Sequence, residues 1–402
     1  MVGSWHGQIA SACRRWGLAG ALSMVLPFCW ADVAMTPTVE EQRLDRLIKD
    51  VPRLASVVTA LERKLKTTLP DGLPVVEQSA RVAALGIELW DVARSQVQSL
   101  GVLDDRPLYW QRLQVARYLR NQAKRSQTST SDLSQWLTTL EQHSRGQLEI
   151  VWQAAGAKRV LITGFDPFSL DRALDQSNPS GLIALALDGK VFEVSGQTIE
   201  IHAAIFPVRY PDFDAGLLEA WLMPHLLDSQ LSLFASISMG RDHFDLERFP
   251  GRRRSSSALG NLKEHTGASE REPLPPLLAG KPISGPEFVE FSLPVAAMLE
   301  AKGAFEIRDN RAVTTLEQGT IQAASLRLLQ GQTAVRGSGG GYLSNEISYR
   351  SIRLAQSLNI ELPMGHIHTP RMQGHDDQVL SQILAQIQIM LLQGAVNVHS
   401  AI

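Results

Sequence analysis

Three side chains far apart in the sequence carry the chemistry of acyl transfer: a hydroxyl at Ser344, an imidazole at His368 and a carboxylate at Glu247. A nucleophile, a base to take its proton and a carboxylate to orient that base are what the reaction needs. Ser344 follows Arg336-Gly337-Ser338-Gly339-Gly340-Gly341, with apolar residues before it (Leu328, Leu329, Ala334, Val335) and helically spaced apolar residues from Tyr342 to Leu358 after it. A strand entering a glycine turn and then a helix exposes backbone N–H groups at the positive end of the helix dipole. Negative charge developing on an attacked carbonyl would be stabilised there. The plainer alternative is a helix-start serine without chemistry. His368 lies in Met364-Gly365-His366-Ile367-His368-Thr369-Pro370, a short strand ending at a proline, and Glu247 follows Met239-Gly240-Arg241. Spacing alone does not bring the three together, and Glu247-Arg248 also reads as a surface ion pair.

The elements that must position these residues alternate. Residues 159–163 read as a buried parallel strand, and Gly164-Phe165-Asp166-Pro167-Phe168 as the loop at its carboxyl end. Asn178-Pro179 supplies an N-cap and a first-turn proline for a helix through Leu187. A strand over 199–206, a helix over 212–227 and a strand over 233–238 follow. This predicts a three-layer α/β/α domain with a mostly parallel sheet over 158–394, its ligands at the carboxyl strand ends. Residues 252–282, rich in Arg, Ser, Gly and Pro, read as a loop insertion, either a lid or a disordered segment. A strand over 288–293, short helices near 294–302 and 319–329, and a long amphipathic helix over 376–392 complete this domain. Upstream, residues 37–147 show only helical spacing, which predicts a four-helix accessory domain with a break near Pro52. Its Trp90, Trp110 and Trp136 read as core.

The 402 residues leave room for two domains, and a formal net charge of −2 gives no reason to expect nucleic acid as a partner. Arg252-Arg253-Arg254 reads as a short solvated loop. Arg14 and Arg15 precede an apolar run from Trp16 to Trp30 that ends at the small Ala31. This predicts a signal peptide over 1–31 and a secreted or periplasmic protein with no stable membrane insertion after cleavage. An uncleaved anchor is the alternative; the run is short for a transmembrane helix, and no other stretch reads as long enough to span a bilayer. Both cysteines, Cys13 and Cys29, fall inside this segment. The mature chain would then have no disulfide, cysteine nucleophile or cysteine-ligated metal.

Several of these motifs resemble those of type I pyroglutamyl peptidases (pyrrolidone-carboxylate peptidases). Gly164-Phe165-Asp166-Pro167-Phe168 resembles the family's opening motif, and Asn178-Pro179-Ser180 its following asparagine and helix. Phe206-Pro207-Val208-Arg209-Tyr210 resembles the next motif, and Met239-Gly240-Arg241 with Glu247-Arg248 the segment of the catalytic glutamate. Gly339-Gly340-Gly341-Tyr342-Leu343-Ser344-Asn345 resembles the segment of the nucleophile, and Ile367-His368-Thr369-Pro370 that of the histidine. The resemblance covers most of 158–394 and leaves out 37–147. Ser344 stands where the family has cysteine, Asp245 replaces a Ser/Thr, Arg336 replaces a serine, and the insertion after Glu247 is long.

The resemblance implies a hydrolase that removes N-terminal pyroglutamyl groups, with Ser344 as nucleophile, His368 as base and Glu247 orienting it. It implies a peptide or small lactam substrate bound by Phe165, Phe168, Arg241 and Asn178, no cofactor, and is compatible with an oligomer. A serine hydroxyl is a far weaker acid than a thiol, so the change demands a closer base and a stronger oxyanion site. Two alternatives follow: a binding or scaffold protein that has kept the pocket without turnover, and a metal-dependent hydrolase using His366 and His368 with His375, Asp376 or Asp377. A phosphate loop at 337–341 is the weaker idea, since no lysine follows at the required spacing.

Overall fold

The computed structural model describes residues 35–228 and 230–398. The predicted signal peptide and both cysteines lie outside the described residues. The described residues form one compact unit. It opens with α1 (Val39–Asp50), α2 (Pro52–Thr68), α3 (Val75–Leu100), α4 (Arg106–Ser126) and α5 (Thr130–His143). A capping box starts α1, with Glu41 N–H donating to Thr38 Oγ1 and Thr38 N–H to Glu41 Oε2. The break at Pro52 is complete, so α1 and α2 are separate helices and the region has five helices, not four.

The α/β part runs β1 (Lys158–Phe165), α6 (Pro179–Leu187), β2 (Lys190–Val194), β3 (Gln197–Phe206), α7 (Tyr210–Asp214), α8 (Leu217–Leu227), β4 (Leu231–Met239) and β5 (Phe244–Glu247). A two-stranded hairpin, β6 (Leu277–Leu278) and β7 (Lys281–Pro282), precedes α9 (Val295–Leu299), β8 (Ile307–Asn310), β9 (Ala312–Thr315), β10 (Gly319–Gln322) and β11 (Ala334–Arg336). The chain ends with α10 (Leu343–Ser357), β12 (Met364–Thr369) and α11 (Asp377–Val396). The main sheet has the order β2-β3-β1-β4-β12-β5-β8, and only its β2–β3 and β5–β12 pairs are antiparallel. Helices α6 and α11 pack together on it, as do α8 and α10, giving the expected three layers. The chain turns from β3 back across β1 to β4, so a crevice opens where β1, β4 and β12 end.

The helical region precedes the α/β part, as expected, and packs against it as a further layer of the same unit. Its Leu61, Leu85 and Val115 belong to the same buried core as Val160 and Phe234 of the sheet, and α3 packs on α6. Trp90 Nε1 donates to Asp188 Oδ2 at 3.2 Å. A buried ionic network also joins the layers. Asp166, just past β1, pairs with Arg112 (3.0 Å) and Arg145 (2.7 Å), and Arg209 pairs with Glu40 (2.5 Å) and Glu141 (3.2 Å).

Other expectations change locally. The helix predicted over 212–227 is split by Gly216, whose positive φ of 86° ends α7 and lets α8 start afresh. The helix near 319–329 is instead strand β10 and a 3₁₀ turn at Leu326–Leu329, β10 pairing with β9 and β9 with β11 in a small sheet. Residues 288–293 form no strand of the main sheet; Phe288 makes a single bridge to Gly251. Helix α11 is long and apolar enough to cross a membrane, contrary to the reading of the sequence, but half of that stretch is buried in the protein. The basic triplet is not a solvated loop. Arg254 is buried, bonded through Nε and Nη2 to Glu346 (2.6 and 2.8 Å), while Arg252 and Arg253 pair with Glu287.

Candidate active site

Register brings the polar residues of three neighbouring strands onto one face. In β4 and β12, Ser236 lies beside His366 and Ser238 beside His368; in β12 and β5, His368 lies beside Asp245. Side chains alternate along a strand, so Ser236 and Ser238, His366 and His368, and Asp245 and Glu247 share a face, while Ile237, Ile367 and Leu246 point to the other. Glu247 is fully buried and its Oε1 meets His368 Nδ1 at 2.5 Å. Asn310 of β8 donates from Nδ2 to Glu247 Oε2 at 2.8 Å and to the Ser338 carbonyl at 3.0 Å. Burial pushes the Glu247 carboxyl above its ordinary pKa, against the pull of His368. With Nδ1 held by the carboxylate, the other nitrogen of His368 is the one available to a substrate or nucleophile.

His366 is a different kind of histidine. Its Nδ1 meets Ser236 Oγ and its Nε2 meets Ser238 Oγ, each at 2.8 Å, and burial followed by the neighbouring His368 lowers its pKa well below the usual value. It is a neutral ring, bonded on both nitrogens and packed edge-on to His368 with centroids 4.7 Å apart. These bonds contradict the metal-ligand reading of His366. His375 bonds to Asp377 at 2.9 Å, and among the described residues no three His, Cys, Asp or Glu side chains group as metal ligands would.

Ser344 is the second residue of α10 and lines a cavity of 430 Å³ that His368 also lines. Glu247 stands behind the imidazole, so the structure brings the three candidates to one cleft. The Ser344 hydroxyl does not hydrogen-bond to His368; it donates to the Gly339 carbonyl at 3.2 Å. Around it, the first-turn N–H groups of Leu343, Ser344 and Asn345 have no acceptor among the described residues, and no side chain caps the helix. The glycine turn is tied to the segment just past Glu247. Phe249 N–H donates to Ser338 Oγ (2.9 Å), Gly251 N–H to Asn345 Oδ1 (2.9 Å) and Asn345 Nδ2 to Gly251 O (2.7 Å). A side chain at Gly337 would collide with Asn345 and Gly251, and one at Gly240 would collide with the His368 ring.

Of the predicted binding residues, Phe165 and Phe168 line a small apolar pocket beside Ser344, with Val208, Met239 and Leu343. Asn178 also borders it, but its amide is engaged: Oδ1 accepts from Ser180 N–H (3.1 Å) and Nδ2 donates to Asp166 O (2.9 Å). Arg241 is exposed at the cleft and pairs with Asp245 at 3.1 Å. The inserted loop forms a cleft wall through Ser256, Leu259 and Asn261, with Asn261 Nδ2 bonded to Pro167 O at 2.9 Å. Sequence reasoning missed Asn310, the two serines around His366 and Asp166 with its arginines. The S-I-S, H-I-H and D-L-E triplets were the available signal, each alternating polar and apolar residues.

Two family models match this chain. Residues 159–287 and 310–373 match the PA0049 C-terminal domain, and residues 23–141 match the PA0049 N-terminal domain. Both parts of the chain resemble one protein. Uncharacterized protein PA0049 of Pseudomonas aeruginosa is 28% identical over an alignment 473 positions long, covering 92% of this chain and 83% of that protein. Among solved structures, pyroglutamyl peptidase I from Bacillus amyloliquefaciens is 20% identical with a TM-score of 0.42, covering 60% of this chain and 96% of its own. Pyrrolidone carboxyl peptidase from Pyrococcus furiosus is 17% identical, also with a TM-score of 0.42, covering 60% of this chain and 100% of its own.

Proposed function

We propose that this protein is an exported hydrolase that removes N-terminal pyroglutamyl groups by acyl transfer through Ser344. The observation that carries the reading is the buried 2.5 Å pair of His368 and Glu247, opening onto the same cleft as Ser344 at an uncapped helix start. The free nitrogen of His368 takes the Ser344 proton as Oγ attacks the acyl carbonyl, and Glu247 holds the resulting imidazolium. N–H groups at the start of α10 stabilise the oxyanion. Collapse breaks the C–N bond, the leaving amine receives the proton from His368, and water repeats the sequence to release pyroglutamate. The lactam occupies the apolar pocket of Phe165 and Phe168. Ser344 thus does what the cysteine of the resembled family does. The test is release of pyroglutamate from a short pyroglutamyl peptide. Loss of release in Ser344→Ala supports the reading, and release persisting in that variant removes it.

One observation favours a second reading, a pocket that binds such peptides without turnover: the hydroxyl of Ser344 is donated to Gly339 O, away from His368. Catalytic hydrogen bonds are often longer or misaligned without substrate, so the first reading has the hydroxyl turn from Gly339 O towards His368 when substrate binds. Calorimetry showing tight binding of pyroglutamyl peptides with no pyroglutamate released would establish the second. Export rests on residues 1–31, and an exported protein whose N-terminus is Met1 would refute the cleaved-signal reading.

A further inference from the structure

We infer that the cleft selects peptides whose residues just after the cleaved bond carry acidic side chains. This rests on the acyl-transfer reading above. With the lactam in the apolar pocket, the part of the substrate to be released lies on the other side of Ser344, in the 430 Å³ cavity. The two spaces adjoin, sharing Phe168, Met239 and Tyr342 as well as Ser344. The charged residues lining the larger one, apart from His368, are Arg43, Asp171, Arg172, Arg241 and Arg371.

The single carboxylate among them does not balance the cations. Asp171 is bonded to Arg43 Nη2 at 2.9 Å and has Lys263 Nζ at 3.5 Å and Arg46 Nη1 at 3.8 Å. Arg43 is itself buried and also donates to Asn261 O at 2.6 Å, so that pair is part of the wall. The other three arginines each stand at the carboxyl end of a strand that forms the crevice: Arg172 in the loop after β1, Arg241 after β4 and Arg371 after β12. All three are exposed. The Arg172 guanidinium makes no hydrogen bond or ion pair with any described residue. Arg371 donates from Nε to the Gly240 carbonyl at 3.1 Å, which fixes its stem at the mouth and leaves it no carboxylate partner among the described residues. Arg241 shares its carboxylate partner, Asp245, with His243. A released segment with two carboxylates would meet the forked donors of Arg172 and Arg371, which have no carboxylate partner among the described residues, an arrangement suited to bidentate recognition. A lysine-bearing segment would meet like charge.

Calorimetry on the full-length Ser344→Ala protein tests this, because binding is then read without turnover. The probes are C-terminally amidated pyroglutamyl-Glu-Glu-Ala, pyroglutamyl-Gln-Gln-Ala and pyroglutamyl-Lys-Lys-Ala. The acidic peptide is expected to bind about tenfold tighter than the neutral one at low salt, with the advantage shrinking near 0.5 M salt, about where such charges are screened. Adding Arg172→Gln or Arg371→Gln should each cost the acidic peptide roughly threefold, the upper part of the exposed ion-pair range, and leave the neutral peptide unchanged. Equal affinities, preference for the lysine peptide, no binding of any probe, or an acidic preference untouched by both substitutions overturns the inference. So does a neutral peptide with a free C-terminal carboxylate that binds as well as the acidic amide. If the wild type cleaves none of the probes while Ser344→Ala keeps the arginine-dependent preference, the hydrolase reading fails and this one stands.

Discussion

Replacing Glu247 with glutamine should disable the base by trapping the wrong tautomer, and the hydrogen bonds around it say why. Glu247 Oε2 accepts from Asn310 Nδ2 at 2.8 Å, and that same amide nitrogen donates to Ser338 O at 3.0 Å, which fixes it as a donor. The carbonyl of the new amide must therefore face Asn310. Its NH₂ group then faces His368 Nδ1, where a carboxylate oxygen now sits at 2.5 Å. Nδ1 becomes an acceptor, the ring proton moves to Nε2, and the nitrogen facing the cleft can no longer take the Ser344 proton. A base locked in the wrong tautomer loses on the order of 10⁴ in kcat, or about 5 kcal/mol of transition-state stabilisation. Stability should not fall with it, since burial already disfavours the charged carboxyl. The assay is kcat on a pyroglutamyl amide beside a urea melt, with ¹⁵N shifts reporting the His368 tautomer. Adding Asn310→Asp supplies an acceptor for the NH₂ group, turns the amide round and should restore roughly a hundredfold of the lost rate, within the range general acid–base catalysis supplies. The reasoning fails if Glu247→Gln keeps more than about a tenth of wild-type kcat, a barrier change of under about 1.4 kcal/mol. It also fails if Asn310→Asp deepens the loss.

Three further outcomes are expected. Ser344→Cys should keep or exceed wild-type kcat/KM, and its thiol should be alkylated by iodoacetamide several-fold faster at pH 7 than a free cysteine, because the α10 N-terminus and His368 favour the thiolate; an unreactive thiol would argue against a prepared anion site. Asp166→Ala leaves Arg112 and Arg145 buried with fewer counter-charges, although Arg112 keeps Ser144 and Arg145 keeps Glu141. The expected loss is about 3 kcal/mol in urea unfolding, the lower end for a broken buried pair. Helix and sheet probes should melt together; a helical layer that melts first would contradict a shared core. Asp105 is buried and its pKa is pushed up to about 7, mainly by burial. Because the folded state then holds a proton that the unfolded state releases above its ordinary value of 3.8, stability falls as pH rises between those values. Relative to Asp105→Asn, the wild type should lose up to about 1.4 kcal/mol per pH unit across that window and no more above it. A flat difference would refute the shift.

The parts of the fold legible in the sequence were those with a strong repeating signal. Strands β1, β3 and β4 are apolar runs long enough to be recognised, and α3 and α4 carry clear stripes. Strands β5 and β8 have four residues each, and β2 alternates intermediate and exposed residues at a sheet edge, so none stands out before its partners are known. The layering of the helices on the sheet was also hidden. It depends on ion pairs such as Arg112 with Asp166, 54 residues apart, and no local pattern encodes that distance. For the site, Ser344, His368 and Glu247 could be nominated from motif resemblance, but their shared cleft comes from strand register. Asn310 could not be nominated at all, because an asparagine ending a short strand reads as a turn residue until β8 is seen to lie beside β5.

The most direct measurement is mass spectrometry of the protein quenched in acid during incubation with a pyroglutamyl amide. The account expects one pyroglutamyl group esterified to the peptide containing Ser344, absent from Ser344→Ala and formed far more slowly in His368→Ala. Steady release of pyroglutamate with no acyl group on the protein, or with the group on another residue, would contradict it.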